Sequence, residues 1–226
     1  TKPDTDSIAS AIVFARLQKA LGIDAVAYKL GEVNKETKYA LKTFEVEEPQ
    51  TLTSVDENCD VALVDNNEFS QSVSGIEKAH VKMVVDHHKI KLETVEPIYF
   101  ITEPLGCTCT ILYKLYKQNE VDIDSQTAGL MLSAIISDTL LFKSPTCTEQ
   151  DKEMLKAGTD ISDFTPFQVI NIDSKEFNDK NAKFEISQVN AVDLDSVFSR
   201  QSELEDAINK EIKEKNLDFY MFAATD

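Results

Sequence analysis

The stretch VKMVVDHHK, residues 81–89, constrains the fold more than any other part of the sequence. Its apolar run, Met83 to Val85, is too short for a buried helix and rich in β-branched residues, so it predicts a buried strand. Asp86, His87 and His88 follow at once, and such side chains mark the point where a buried strand emerges. In open α/β sheets, ligands bind at the carboxyl ends of strands. The stretch therefore predicts an α/β fold with a functional site at this strand end.

Two of the three histidines in the chain are adjacent in this stretch. Neighbouring residues at a strand end point in opposite directions, so one imidazole can face a metal ion while the other faces a substrate. A surface turn that contains two histidines by chance is the alternative interpretation. Acidic residues elsewhere in the chain favour the functional one.

Acidic residues end or begin several other predicted elements: Asp4, Asp6, Asp65 and Asp138. Asp4 and Asp6 precede an apolar helix that Asp6 or Ser7 is expected to cap, but capping needs one acid and leaves the other unexplained. Asp65 follows an apolar strand, as Asp86 does. Asp138 ends an apolar helix, where a carboxylate opposes the helix dipole unless a cation is bound.

The order of predicted elements is typical of a parallel sheet built from βαβ units. Strands are expected at 25–30, 61–64, 81–85 and 97–102, and helices at 7–21, 34–43, 73–79, 107–119, 126–137 and 149–157. After Gly158 the pattern changes to an irregular stretch at 161–181, a strand at 183–193, a helix at 197–216 and a strand at 217–224. We predict a first domain at 1–157, a linker at 158–167 and a second, smaller α/β domain at 168–226.

The composition excludes several classes of protein. A net charge of −17 opposes the phosphate contacts on which nucleic-acid binding depends. No apolar run approaches the roughly 20 residues that span a bilayer, and no signal-peptide pattern is present. The four cysteines form neither a secreted disulfide framework nor a zinc motif. We expect a cytoplasmic protein with reduced thiols that binds neither nucleic acid nor membrane.

Several carboxylates that converge without cations would repel one another, and divalent metal ions resolve that repulsion. A mixed set of carboxylates and imidazole indicates Mn²⁺, with Co²⁺ or Mg²⁺ as substitutes. Two such ions about 3.5–4 Å apart would activate a bridging water for phosphoryl transfer. The expected substrates are phosphate anhydrides or esters.

Five motifs carry a resemblance to a known family: PDTDS, VDNNE, VVDHHK, EPLGCTCT and AIISDTLLFKSPTCT. In this order they resemble the DHH phosphoesterase superfamily and, more narrowly, the family II, manganese-dependent inorganic pyrophosphatases. The resemblance covers essentially the whole chain. It implies a DHH domain followed by a DHHA2-like domain with the active site between them, hydrolysis of pyrophosphate, and a homodimer.

The same resemblance implies a role for each candidate residue. The implied metal ligands are Asp4, Asp6, Asp65, His87 and Asp138. Asp65 and Asp138 would bridge two or more Mn²⁺ ions. His88 would contact the substrate phosphate and assist the leaving group. Lys175 would bind phosphate from the second domain, although an exposed lysine paired with Glu176 or Asp173 is the alternative.

Three departures from the family pattern affect this prediction. The first metal-binding histidine of the family would lie before Thr1, and its closing SRKKQ motif would lie beyond Asp226. The segment between Cys147 and Gly158 looks shortened. We therefore expect a chain that lacks its first strand and its carboxyl end.

Three functions follow from the sequence. The first is a pyrophosphatase. The second is another enzyme of the superfamily, either a short-chain exopolyphosphatase or a small-nucleotide phosphodiesterase, although the GGGH-type motif expected of a phosphodiesterase is not visible. The third is a metal-bound regulatory module without turnover, which the missing motifs would favour in a complete chain.

Overall fold

The computed structural model describes residues 3–158, 164–171, 174–178, 182–190 and 194–225. The chain divides into two compact units, Thr1–Leu155 and Lys156–Asp226. Both combine helices with strands, so the predicted α/β class is confirmed. The predicted linker at 158–167 includes residues outside the described part, and the domain limits stay a prediction.

The first unit carries a parallel sheet. Its elements are α1 (Thr5–Ala20), β1 (Tyr28–Lys29), α2 (Lys35–Thr43), β2 (Gln50–Thr51), β3 (Asp60–Val64), β4 (His80–Asp86), β5 (Tyr99–Thr102), α3 (Thr108–Gln118), α4 (Ser125–Asp138) and α5 (Glu149–Gly158). Strands β3, β4 and β5 are parallel in that order, and β1 pairs with β2 separately. Because β4 lies in the middle, the VVDHH stretch ends at the centre of the sheet.

Helix α1 begins at Thr5, two residues earlier than the sequence indicated. Asp4 is its cap, and the Asp4 Oδ1 atom accepts a hydrogen bond from the Ser7 backbone N–H at 2.9 Å. The expected cap at Asp6 or Ser7 is wrong, because Asp6 is fully buried and bonded elsewhere. The helix ends where predicted, since Gly22 has the positive φ of 86° that favours glycine.

Helices α1, α3 and α4 form the main core with the apolar face of the sheet. Ile8, Val13, Ile111, Met131 and Ile135 are among its fully or almost fully buried side chains. In α4 a Cβ atom on Gly129 would lie 2.3 Å from the Phe44 ring, so this glycine lets the two segments approach.

Two predicted elements of the first unit differ from the structure. The helix expected at 73–79 is wrong: this segment forms turns, with Ser74 bridged to Ser54 and Gly75 in a positive-φ conformation against the Val55 carbonyl. The strand expected at 25–30 shortens to the two residues of β1. The turns at 73–79 are held against residues 54 and 55, and β1 pairs with β2 over two residues only.

A left-handed turn follows α4. Leu140, Leu141 and Phe142 have φ angles of 50°, 54° and 62°, although none of the three is a glycine. The turn is held at its start by Thr139, whose carbonyl accepts from the Ser144 N–H at 2.8 Å and whose hydroxyl accepts from the Phe142 N–H at 3.2 Å. The backbone therefore reverses direction directly after Asp138.

The second unit has a mixed three-stranded sheet. Its elements are α6 (Pro166–Asn171), β6 (Ser174–Asn178), β7 (Lys183–Asn190), α7 (Leu194–Phe198), α8 (Gln201–Lys215) and β8 (Phe219–Thr225). Strand β7 pairs antiparallel with β6 and parallel with β8. The stretch expected to be irregular contains α6 and β6, so that prediction is wrong where the structure describes it. The helix expected at 197–216 is interrupted at Ser199–Arg200.

Two carboxylates are buried in the second unit around one lysine. Glu185 of β7 and Glu211 of α8 are 1% and 2% exposed. The Lys215 Nζ atom lies 2.8 Å from Glu185 Oε2 and 2.6 Å from Glu211 Oε2. These contacts raise the pKa of Lys215 above its ordinary value despite the opposing effect of burial.

Candidate metal centre

The carboxyl ends of β3 and β4 bring Asp65 and the two histidines together. The Asp65 backbone N–H donates to the Val85 carbonyl at 2.9 Å, which fixes one strand end beside the other. Asp65 has a φ angle of 58°, a left-handed conformation that aspartate tolerates better than most residues. Its Oδ1 atom accepts a hydrogen bond from the Thr108 hydroxyl at 2.9 Å.

Two groups of potential metal-binding atoms share His87. Asp6, His87 and Asp138 place one ligand atom each within 4.8 Å of one another, and so do Asp65, His87 and His88. The His87 Nε2 atom lies 3.6 Å from Asp65 Oδ1 and 3.7 Å from Asp138 Oδ2. The structure therefore brings together five of the residues that the sequence singled out.

The orientation of His87 fits a metal ion. Its Nδ1 atom lies 2.9 Å from the Leu105 carbonyl, which can accept only from an Nδ1–H. The opposite nitrogen, Nε2, then faces the carboxylates, and it is buried without a hydrogen-bond partner in the described part of the chain. A backbone carbonyl on one ring nitrogen and a cation on the other is the usual arrangement of a metal-bound histidine. This donor set of carboxylate oxygens and imidazole nitrogen suits Mn²⁺.

His88 has different surroundings from His87. Its side chain is 56% exposed, against 12% for His87. Its Nδ1 atom lies 2.8 Å from Asp86 Oδ1, and this hydrogen bond raises the pKa of His88. His88 is therefore the more accessible of the two imidazoles, and its bond to Asp86 favours the protonated ring.

Asp86 is a supporting residue that the sequence analysis treated only as the end of a strand. It is fully buried, and Asn67 donates to its Oδ2 atom at 2.6 Å. Burial favours its neutral form, but hydrogen bonds from His88 and Asn67 outweigh burial and lower the pKa of Asp86. The signal available in the sequence was an acid directly after an apolar run, together with an asparagine two residues after Asp65.

Asp6 and Asp4 differ more than their shared motif suggested. Asp6 is fully buried and accepts from the Thr108 N–H at 2.7 Å, the Cys109 N–H at 3.2 Å and the Ser10 hydroxyl at 2.7 Å. Asp4 is exposed, caps α1, and belongs to neither group of potential ligands among the described residues. Its charge nevertheless acts on the centre.

Asp65 and Asp138 keep their protons at a higher pH than isolated carboxylates do. Burial, followed by the charges of Asp6 and Asp4, raises the pKa of Asp65 well above its ordinary value. The same causes raise the pKa of Asp138 to about 8. At neutral pH the cluster therefore needs either protons or bound cations.

None of the four cysteines is paired in a disulfide, and all four lie in the described part of the chain. Cys107 and Cys109 are buried next to Asp6, and burial raises the pKa of each thiol. A raised pKa keeps both as neutral, weakly reactive groups that serve as packing. Cys59 and Cys147 are partly exposed.

Lys175 lies in the second unit, in β6 rather than in the irregular stretch expected. Its side chain is exposed, and its backbone is paired with Ile186 of β7. Glu176, one of its expected alternative partners, lies 3.2 Å from Lys183 instead. Asp173, the other, is outside the described residues.

Within the described part of the chain, no helix combines the length and the apolar character needed to cross a membrane.

Comparisons with known proteins agree with the geometry. Residues 1–135 match the DHH family, N-terminal domain, and residues 152–226 match the DHHA2 domain. Proteins of Bacillus mycoides and Brevibacillus brevis, both named probable manganese-dependent inorganic pyrophosphatase, are each 51% identical to the chain, with 99% of the chain and 79% of the relative covered. The alignments run over 245 residues, more than the 226 of the chain, so the relatives contain segments without a counterpart here.

Solved structures show the same fold. A crystal structure from Methanococcus jannaschii, described as a family II inorganic pyrophosphatase, is 35% identical with a TM-score of 0.64, and the match covers 99% of this chain and 80% of that one. An exopolyphosphatase-related protein from Bacteroides fragilis is 15% identical with a TM-score of 0.52, over 100% of this chain and 74% of that one. The second likeness concerns the fold alone.

Proposed function

The chain belongs to the DHH family, and from this membership and the geometry of its metal centre we propose that it hydrolyses inorganic pyrophosphate to two phosphates with bound Mn²⁺. The observation that carries the proposal is the buried Nε2 atom of His87, which has no hydrogen-bond partner among the described residues and faces Asp65 and Asp138. This arrangement occurs in a chain half identical to proteins named for that activity.

The metal ligands in this proposal are Asp6, Asp65, His87 and Asp138, with Asp4 at the exposed edge. Asp65 and Asp138 both face His87, which supports a bridging role between two or more ions, with Co²⁺ or Mg²⁺ as substitutes. When bound, the metal ions lower the pKa of a water molecule and neutralise phosphate charge. Thr108 supports the set, since its backbone N–H and hydroxyl hold Asp6 and Asp65.

His88 is the proposed general acid. Its exposed imidazole can reach a substrate, and the hydrogen bond that its Nδ1–H donates to Asp86 favours the protonated ring that a departing phosphate needs. Asn67 holds the other oxygen of Asp86, which keeps that carboxylate and therefore His88 in place.

Further parts of the proposal rest on the family likeness. Lys175, in the sequence IDSKEF, supplies positive charge to the phosphate that the metal ions do not hold. We also propose a homodimer, a cytoplasmic location, and no binding to nucleic acid, which the charge of −17 supports.

Phosphate release from pyrophosphate, after chelation and again after adding Mn²⁺, tests this function. We expect two phosphates per pyrophosphate with Mn²⁺ and none with the chelated protein. Tripolyphosphate and a linear dinucleotide serve as competing substrates. Preference for either would indicate the corresponding other activity of the superfamily, and tight Mn²⁺ binding without hydrolysis would indicate a regulatory module.

A further inference from the structure

The carboxylate of Asp151 lies outside the metal centre, in the first turn of α5. It is fully buried, and no lysine or arginine is paired with it in the part of the chain that the structure describes. Its Oδ2 atom accepts from the Gly106 N–H at 3.0 Å and from the N–H and hydroxyl of Thr148, both at 2.7 Å. Its Oδ1 atom accepts from the Thr110 hydroxyl at 2.6 Å. Capping of α5 explains the bonds with Thr148 but not those with Gly106 and Thr110.

The bond to Gly106 connects Asp151 to His87 through one peptide group. The N–H of Gly106 and the carbonyl of Leu105 are the two ends of the same rigid, planar unit. Asp151 holds the N–H end, and His87 Nδ1 is bonded to the carbonyl end at 2.9 Å. Rotation of this peptide would therefore break the contact that directs His87 Nε2 towards the carboxylates.

The packing around Gly106 leaves little freedom for a different arrangement. A Cβ atom at this position would lie 2.8 Å from Asp151 Oδ2 and 2.9 Å from Thr139 Cγ2. Thr139 directly follows Asp138. Asp151 is thus close to the segments that carry two candidate ligands, and only a hydrogen at residue 106 allows that proximity.

The bond to Thr110 extends the same support to α3. Thr110 and Thr108 lie in the first turn of this helix. Thr108 is the residue that donates to both Asp6 and Asp65. One buried carboxylate therefore fixes both ends of the 105–110 segment, and that segment contacts Asp6, Asp65 and His87.

We propose that Asp151 is a positioning residue of the metal centre: it holds the Leu105–Gly106 peptide so that His87 presents Nε2 to the metal ion. This inference rests on the proposed function only for the identity of the metal. Asp151 acts through the peptide and contacts neither metal nor substrate.

Asp151→Asn tests the proposal, because the amide keeps the size of the side chain but has only one accepting atom. Mn²⁺ affinity, measured by electron paramagnetic resonance on the whole chain, should fall about tenfold, the lower end of the effect of outer-shell substitutions. The proton resonance of His87 Nδ1–H, protected by its bond to Leu105 in the metal-free protein, should broaden or disappear. Asp124→Asn is the matched control, since Asp124 caps α4 through the Thr127 N–H at 2.7 Å.

Equal Mn²⁺ affinities of the two variants, with the His87 resonance retained in both, would show that Asp151 is only a helix cap. If Asp151→Asn does not fold, Gly106→Ala replaces it, because its Cβ displaces the same carboxylate and should give the same tenfold loss. The His87 resonance needs neither Mn²⁺ nor pyrophosphate, so it decides the proposal even if the chain proves inactive.

Discussion

Both units of this protein contain pairs of buried or partly buried carboxylates, but they balance the charge differently. In the second unit, Glu185 and Glu211 share Lys215, whose Nζ atom lies within 2.8 Å of both. In the first unit, Asp65 and Asp138 have only imidazoles within ion-pair distance among the described residues. Among the residues that the structure describes, the first pair therefore has no lysine or arginine to balance its charge, whereas the second pair has Lys215.

This difference distinguishes a metal-binding site from an ion pair that belongs only to the folded structure. A buried acid that has its own lysine contributes to one fixed packing of the unit and gains nothing from a ligand. A buried or partly buried acid without a lysine partner has a raised pKa, as Asp65 and Asp138 have. Such an acid keeps its proton until a metal ion takes the place of that proton. The comparison predicts opposite responses to substitution in the two units.

Asp65→Asn should have the largest effect, and it should change both the hydrolysis activity and the stability of the metal-free protein. Loss of a bridging carboxylate should reduce pyrophosphate hydrolysis at least about a thousandfold, or about 4 kcal/mol. Asparagine tolerates the φ angle of 58° at this position, so the backbone is preserved. The metal-free variant should be more stable than the wild type at neutral pH, because asparagine removes the free-energy cost of keeping a proton on Asp65 that the unfolded state has released. Phosphate release and thermal unfolding in chelator measure the two effects.

The sign of the stability change follows from the raised pKa. The pKa of Asp138 is about 8 in the folded state and 3.8 as a free side chain, so the folded state retains a proton that the unfolded state has lost. Metal-free stability should therefore fall as the pH rises from about 4 to about 8. A weaker fall in Asp65→Asn supports the comparison; an unchanged or steeper one contradicts it.

His88→Gln should reduce kcat about a hundredfold, the usual contribution of a general acid. Mn²⁺ affinity should stay the same, because His88 is exposed and bonded to Asp86. His87→Gln is the matched variant, and it should weaken Mn²⁺ binding instead. If both variants lose Mn²⁺ to the same degree, the two imidazoles do not divide metal binding from catalysis.

Lys215→Met should destabilise the second unit by about 2–3 kcal/mol, since it leaves two buried carboxylates without a cation. This value is smaller than that of a fully buried pair because the lysine is partly exposed. Lys210→Met, which removes an exposed lysine 3.8 Å from Glu214 on the same helix, should change stability by less than about 0.5 kcal/mol. Urea unfolding measures both. Equal stabilities would mean that the second cluster is not balanced by Lys215.

Lys175→Ala should have the smallest effect of the four. Loss of one charge-assisted contact with phosphate should raise KM about tenfold, or 1.4 kcal/mol, without changing Mn²⁺ affinity. Glu176→Ala, at the neighbouring position of β6, is the control. An unchanged KM in Lys175→Ala would show that Lys175 does not contribute to substrate binding.

Local patterns in the sequence predicted the centre of the sheet and the acids at its edge. Short apolar runs followed by acids indicated β3, β4 and the position of Asp65. This prediction needed only residues that are adjacent in the sequence, because they decide where a buried strand begins and ends. The role of Asp86 was missed, since its partner Asn67 lies on a different strand end. The same reason applies to Asp151: a capping motif was visible, but its bond to Gly106, 45 residues earlier, depends on tertiary packing.

The left-handed turn after Asp138 has a consequence for local dynamics. Three successive side-chain-bearing residues with positive φ cost roughly 3–6 kcal/mol, and Leu140 and Leu141 recover little of it by burial, being 66% and 61% exposed. Opening this turn releases that strain, so it requires less free energy than unfolding of the helix before it. The amides of Leu141 and Ser144 should exchange their hydrogens faster than those in the middle of α4.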